Sequence, residues 1–260
     1  MPLKIMSLNV GRMLQPRTKT FLERLSGPDV LLLQDFPFRS LPLLERYPHV
    51  AFAPMTNHII WGHRAIVGIA LLSKYLLTSV AYYTTWGNGV LKDLEGINDR
   101  NERHLGAESD KLVEATEDRV AICTCVRKDA DEYNLVTTHG MWARNGVAND
   151  VQRKCTHELV NVLKLELMGR PDLVLAGDLN CARGGEIYNM LTAVMQDEVP
   201  QNVVGTLDPD HPLSQKGIDT VVDYIMSARD GRATVSDVGL TSGISDHQAL
   251  TATITMEDPQ

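Results

Sequence analysis

The chain has 260 residues and a mass of 28.8 kDa, with 43% hydrophobic and 22% charged residues. That balance supports a large buried core and excludes a largely disordered chain. Lys and Arg number 25 against 33 Asp and Glu, a net charge of −8, which excludes gripping nucleic acid by bulk positive charge but not by a local basic cleft.

Short apolar, β-branched-rich runs bounded by Gly, Pro, Asp or Asn predict most of the elements. The first strand covers 3–10. A short helix follows Gln15, with Phe21, Leu22 and Leu25 inward, and strands follow at 30–34 and 66–73. The stretch 96–118 is polar and charged with little periodicity, and reads as a long surface insertion, mobile or a binding loop. Strands are predicted again at 120–126 and 133–138. The clearest helix spans 151–168, capped by Asn149 or Asp150 and stopped by Gly169 and Pro171. A strand at 172–176, a helix over 185–195 and strands at 221–227, 233–238 and 249–255 complete the chain.

Many strands with a few helices, not strictly alternating, imply two stacked sheets with helices outside, in one domain over 1–260. Cys123, Cys125, Cys155 and Cys181 form no disulfide scaffold and read as buried reduced thiols. No apolar run reaches membrane-spanning length, and the first residues lack a signal peptide's apolar core. The expectation is a soluble, cytoplasmic monomer with no membrane partner.

The informative residues sit at strand ends. Asn9 follows the apolar run 3–8, Asp35 the run 30–33, His139 the run 135–138, and Asp178 and Asn180 the run 173–176. Asp223 interrupts an apolar run, and Asp246 and His247 precede the last strand. Taken singly, each has a plain reading as a turn or cap residue. Strand ends on one rim would bring four carboxylates, two amides and two imidazoles into one cleft. Burying such a group requires a cation and a hydrogen-bond network. Mg²⁺ bound by one or two carboxylates, its shell completed by water and substrate phosphate, would satisfy it.

Seven segments, in order, resemble the endonuclease/exonuclease/phosphatase superfamily of the DNase I-like fold. They are KIMSLNV, LLLQDF, VGIALLSKY, LVTTHG, LAGDLN, VVDYIMS and SDHQAL. The resemblance implies a four-layer α/β/β/α sandwich of two mixed sheets and a metal-dependent phosphodiester hydrolase. It implies Mg²⁺, or Mn²⁺, framed by Asn9, Asp35 and Asp246. Asp178 would align and deprotonate the attacking water, with Asn180 positioning water or phosphate. His139 and His247 would bracket the phosphate, and Asp223 would fix the tautomer of His247. The family's Glu at the second segment is Asp35 here, one methylene shorter, which implies retained but weaker activity.

The substrate class rests on loops. Three segments join aromatic and basic residues: 58–64, 82–86 and 141–145, the last directly after His139. Aromatic rings with Arg suit base stacking and phosphate contact, so Trp142 and Arg144 are expected to touch substrate. Arg119 is similar in position to a phosphate-contacting Arg of some members. The leading expectation is a nuclease acting on DNA by in-line attack of an activated water. The alternatives are an inositol- or lipid-type phosphoesterase, or a binding protein with a weakened site.

Overall fold

The structure, a computed structural model, describes residues 1–12, 14–60, 63–95, 107–144, 147–217 and 220–257, without the side chains of 60, 95 and 107–110. In chain order the elements are β1 (Leu3–Asn9), α1 (Pro16–Arg24), β2 (Val30–Pro37), β3 (His49–Ile60), β4 (His63–Ser73), β5 (Leu76–Trp86), β6 (Asp93–Glu95), α2 (Ala107–Thr116), β7 (Arg119–Lys128), β8 (Asp131–His139), α3 (Asp150–Gly169), β9 (Val174–Asp178), α4 (Glu186–Thr192), β10 (Met195–Asp197), β11 (Asp223–Ala228), β12 (Ala233–Thr241) and β13 (Ala249–Met256). A short 3₁₀ helix follows β2. The strands form two mixed sheets, β12-β13-β1-β2-β4-β3-β6 and β10-β11-β9-β8-β7-β5.

Side-chain alternation builds the layers. Leu3 and Ile5 of β1, with Val30 and Leu32 of β2, enter the core between the sheets. Their neighbours Met6, Leu8, Leu31 and Leu33 point the other way, under Leu22 and Leu25 of the α1 segment. Every residue of β2 is buried, as a central strand covered on both faces requires. On the opposite sheet Leu159 and Leu163 of α3 join Ile122, Val136 and Leu175. This is the expected four-layer sandwich. Asn149 caps α3, its side chain accepting from the Gln152 N–H at 2.7 Å.

Several expectations need correction. Strands β3, β5, β6 and β10 were not predicted. Pro54 stands inside β3, at a register shift, and broke its pattern. β5 is an edge strand with alternating exposure and two register irregularities. Residues 82–86 therefore lie in β5 and are not a substrate loop: Tyr83 Oη donates to Glu166 and Trp86 Nε1 to the Glu114 carbonyl. Of 58–64, Trp61 and Gly62 lie outside the described residues, and the rest belong to the β3–β4 hairpin. Of 96–118, residues 96–106 lie outside the described residues. The remainder is α2 followed by buried Glu117 and Asp118, so the end of this segment is part of the interior. The four cysteines are free and buried. Among the described residues no helix is long and apolar enough to cross a membrane.

Gly177 shows how tightly the second sheet closes beneath the rim. It pairs with Thr138 in the parallel β8–β9 ladder, and a Cβ there would lie 2.2 Å from the Thr138 carbonyl oxygen. Gly177→Ala is expected to destabilise the protein by about 2 kcal/mol through forced backbone displacement. Urea unfolding checks this, and an unchanged midpoint would contradict it.

Candidate active site

The rim is assembled by strand register. His139 is the direct partner of Asp178 in the β8–β9 ladder, and Asp178 is the direct partner of Asp223 in the β9–β11 ladder. Paired positions on three neighbouring strands thus line up an imidazole and two carboxylates on one face, with Asp178 in the middle. The other sheet supplies Asn9, at the end of β1, whose Nδ2 donates to Asp178 Oδ2 at 2.9 Å. The Asn9 Oδ1 accepts from the Gly11 N–H and fixes the turn after the strand.

Asp35 reaches the rim through a bulge. The β2–β4 register shifts between Leu33 and Phe36, and Asp35 has φ 51°. The extra residue keeps Gln34 and Asp35 both on the inter-sheet side. Gln34 Nε2 donates across to Thr137 Oγ1 at 3.2 Å, and Asp35 Oδ1 lies 3.3 Å from His139 Nδ1. Phe36 then returns to the helix-side core.

Asp178 is the hub. Its Oδ1 accepts from the Asn180 N–H at 2.9 Å, while His139 Nε2 and His247 Nε2 lie 3.4 and 3.8 Å from Oδ2. Asn180 also has a positive φ, 51°, and its Nδ2 donates to the Gly140 carbonyl at 3.0 Å. His247 Nδ1 sits 2.9 Å from Asp223 Oδ2. Asp246 lies outside this contact set: half-exposed, it accepts from Ser245 Oγ at 3.0 Å. Arg144 stacks on Trp142, its guanidinium carbon 5.4 Å from the ring centroid, immediately beyond His139 and Gly140. Asn145 lies outside the described residues. Arg119 is fully buried beneath the rim, with Nη2 2.9 Å from Glu117, and does not stand on the surface.

Several supporting residues carry no sequence signature of their role. Thr206 Oγ1 accepts from the backbone N–H groups of Val222 and Asp223, both at 3.0 Å, and so fixes the start of β11. Tyr224 Oη donates to the Cys181 and Val221 carbonyls. Gln152, the buried first-turn residue of α3, donates to the Met141 and Asn180 carbonyls at 2.9 Å and ties the two loops flanking the site together. Only the inward face of the 151–168 pattern hinted at Gln152.

The charges interlock. Burial opposes ionisation of Asp35, but His139 and Arg12 outweigh it and hold the carboxyl far below its ordinary range. Burial likewise opposes charge on Asp178. His247, followed by the hydrogen bond from His139, still lowers it to about 2. Burial also opposes protonation of His139, yet Asp35 and then Asp178 push its pKa up to about 9. Asp223 is raised, first by burial and then by Asp178. His247, between these two carboxylates, is raised well above its ordinary value despite its burial. The Asp223–His247 pair therefore retains a proton at neutral pH.

A divalent cation fits this donor set. Among the described residues, the guanidiniums of Arg12 and Arg119 pair with Glu117 and, through Arg12, with Asp35, so the buried carboxylates Asp178 and Asp223 rely on the imidazoles of His139 and His247, or on a cation, for compensation. The donors are mainly oxygens, which suit Mg²⁺ or Mn²⁺ better than a thiolate-seeking metal. One oxygen each of Asp178 and Asp223 and one nitrogen of His247 lie within 4.8 Å of one another. Asp35 Oδ1 is buried and faces His139 Nδ1 at 3.3 Å in ion-pair rather than hydrogen-bond geometry, so the oxygen keeps acceptor capacity for a cation.

Two facing mixed sheets thus carry an acid, amide and imidazole rim. The family model described as "Endonuclease/Exonuclease/phosphatase family" matches residues 6–247, and the chain belongs to that family, whose members are phosphoester hydrolases typically dependent on divalent metal. Among solved structures it is similar to an endonuclease/exonuclease/phosphatase from Bacteroides vulgatus, with TM-score 0.70 and 15% identity, over 99% of this chain and 100% of that one. It is similar to the human Nocturnin catalytic domain with bound sulfate anion, with TM-score 0.70 and 17% identity, over 98% of this chain and 94% of that one. A humanized D. rerio TDP2 matches with TM-score 0.64 and 16% identity, over 98% and 99% of the two chains. At these identities the likeness shows the fold. No curated protein matches the chain by sequence.

His139 gives a stability prediction for the metal-free protein. Its folded pKa, about 9, exceeds the ordinary 6.5, so its contribution is complete below pH 6.5 and is lost as pH rises through 9. The raised His247 acts in the same direction. In EDTA, the melting temperature is expected to fall between pH 6.5 and 9.5, by the equivalent of roughly 3 kcal/mol from His139. His139→Gln should flatten that fall; a wild-type profile level across this window would contradict the coupling.

Proposed function

We propose that this chain is a divalent-metal-dependent phosphodiesterase that hydrolyses nucleic-acid phosphodiester bonds, with DNA as the first substrate class. The observation that carries the reading is the convergence of Asn9, His139, Asn180 and His247 on the single carboxylate Asp178. A deep carboxylate flanked by two protonated imidazoles suits phosphodiester hydrolysis, which needs an aligned nucleophile and neutralised equatorial oxygens.

The roles follow from the protonation states. Asp178, ionised at neutral pH, orients the attacking water and accepts its proton. Asn180 steadies that carboxylate through its backbone N–H, while its amide holds the Gly140 loop. His247 keeps its proton against Asp223 and presents positive charge to a non-bridging phosphate oxygen. His139, anchored by Asp35, does the same from the other side. Asn9 and Asp35, with Asp246 nearby, would hold Mg²⁺ or Mn²⁺, which would supply Lewis-acid charge at the reacting phosphate. Arg119, buried behind Glu117, acts on this site through charge rather than by touching substrate.

Nucleic acid is favoured by the Arg144–Trp142 stack, a flat cationic platform at the mouth, adjoining His139. Base stacking is worth about 1–3 kcal/mol per base, and the guanidinium adds a phosphate contact. This platform works locally and needs no positive net charge.

Two variants separate the parts of the reading. Asp178→Asn is expected to lower Mg²⁺-dependent cleavage of plasmid and single-stranded DNA by at least ~10²-fold. Trp142→Ala is expected to raise KM for DNA about tenfold with a smaller change in kcat. Cleavage that survives Asp178→Asn would remove the proposed mechanism. An unchanged KM in Trp142→Ala, with turnover of an inositol phosphate, would move the substrate to the lipid head-group class.

A further inference from the structure

Asp35, which faces His139 on one oxygen, shares the Arg12 guanidinium with a second buried carboxylate, Glu117. Arg12 Nε stands 3.5 Å from Asp35 Oδ2, whereas Arg12 Nη2 stands 2.6 Å from Glu117 Oε1. The other oxygen of Glu117 takes Arg119 Nη2 at 2.9 Å. Glu117 and Arg119 are each about 1% exposed, and Arg12 is nearly buried as well. A guanidinium prefers a close charge-assisted bond, and in this interior water cannot substitute for a missing partner. Of the two carboxylates, Glu117 holds Arg12 closely and Asp35 pairs with it more loosely.

We propose that Glu117 is a positioning residue that draws Arg12 and Arg119 away from Asp35, and so keeps the Asp35 carboxylate available to a divalent cation. Without the Glu117 charge, Arg12 needs to close less than 1 Å to turn its loose 3.5 Å ion pair with Asp35 into a close charge-assisted hydrogen bond. That pair would occupy the oxygen facing Arg12 and cancel the charge that attracts the metal. Glu117 directly follows α2, so this helix delivers the residue that sets the site. The anchors of α2 hold it in place. Trp86 Nε1 and Lys92 Nζ donate to the Glu114 and Ala115 carbonyls, and Asn149 Nδ2 donates to the Glu114 carboxylate.

The inference rests on the proposed metal-dependent reading, and its test is arranged to separate the two. Mn²⁺ binding is titrated by electron paramagnetic resonance in wild type, Glu117→Gln, and the double variant Glu117→Gln/Arg12→Met, with folding checked by circular dichroism. Glu117→Gln is expected to bind Mn²⁺ about tenfold more weakly, the usual scale for removing an outer-shell partner. Removing Arg12 in the same chain should restore most of that loss, because the guanidinium paired with Asp35 is gone. Should Glu117→Gln fail to fold, Glu117→Asp, with the charge kept and the reach shortened, should show an intermediate loss. Affinity within twofold of wild type in the single variant, or a double variant no better than the single, overturns the role of Glu117 and leaves the proposed function standing. Wild type that binds no Mn²⁺ overturns both.

Discussion

Everything at the rim depends on the register of three strands. Because β8, β9 and β11 are paired so that His139, Asp178 and Asp223 are successive rungs, an imidazole and two carboxylates share one face. A slip of one residue in either ladder would send a member of that set to the opposite face. Gly177 enforces the β8–β9 approach, since a side chain there would strike the Thr138 carbonyl. Thr206 secures the other ladder by accepting from the Val222 and Asp223 N–H groups. The second sheet then needs to add only Asn9 and, through a bulge, Asp35.

That register has an electrostatic consequence. Carboxylates brought together in the interior exceed the guanidiniums around them, and compensation comes either from protons on His139 and His247 or from a divalent cation. The same excess explains the low pKa of Asp178 beside the raised pKa of Asp223: one carboxylate gathers the cationic partners while the other shares a proton with His247. Such separation of neighbouring acids is what acid–base chemistry at neutral pH requires.

Much of this was legible in the sequence. Asn9, His139, Asp178, Asn180, Asp223 and His247 were found because strand-end polar residues interrupt strongly apolar runs, and a buried polar group has to have a partner. The sandwich followed from the same runs. What the sequence hid falls into two physical classes. Half-exposed edge strand β5 and the Pro54-interrupted β3 lack clean alternation, so Tyr83 and Trp86 were misread as loop residues when they anchor α3 and α2. Glu117 ends a polar, aperiodic stretch and Arg119 follows it, and only tertiary structure reveals that the link from α2 into β7 carries their charges into the interior. Asp246 shows the reverse: it adjoins the motif in sequence, yet its side chain bonds Ser245 and not the hub.

The proposal that the carboxylate-rich group around Asp178 takes a divalent ion has a direct test. Thermal unfolding of wild type and Asp178→Asn, each in EDTA and in increasing Mg²⁺, tests it without assuming a substrate. Ligand binding to the folded state stabilises it by RT ln(1 + [L]/Kd), so the wild-type melting temperature should rise with Mg²⁺, and the rise should vanish or shrink sharply in Asp178→Asn. Equal behaviour of the two proteins, or no response of wild type to Mg²⁺ or Mn²⁺, would contradict the account.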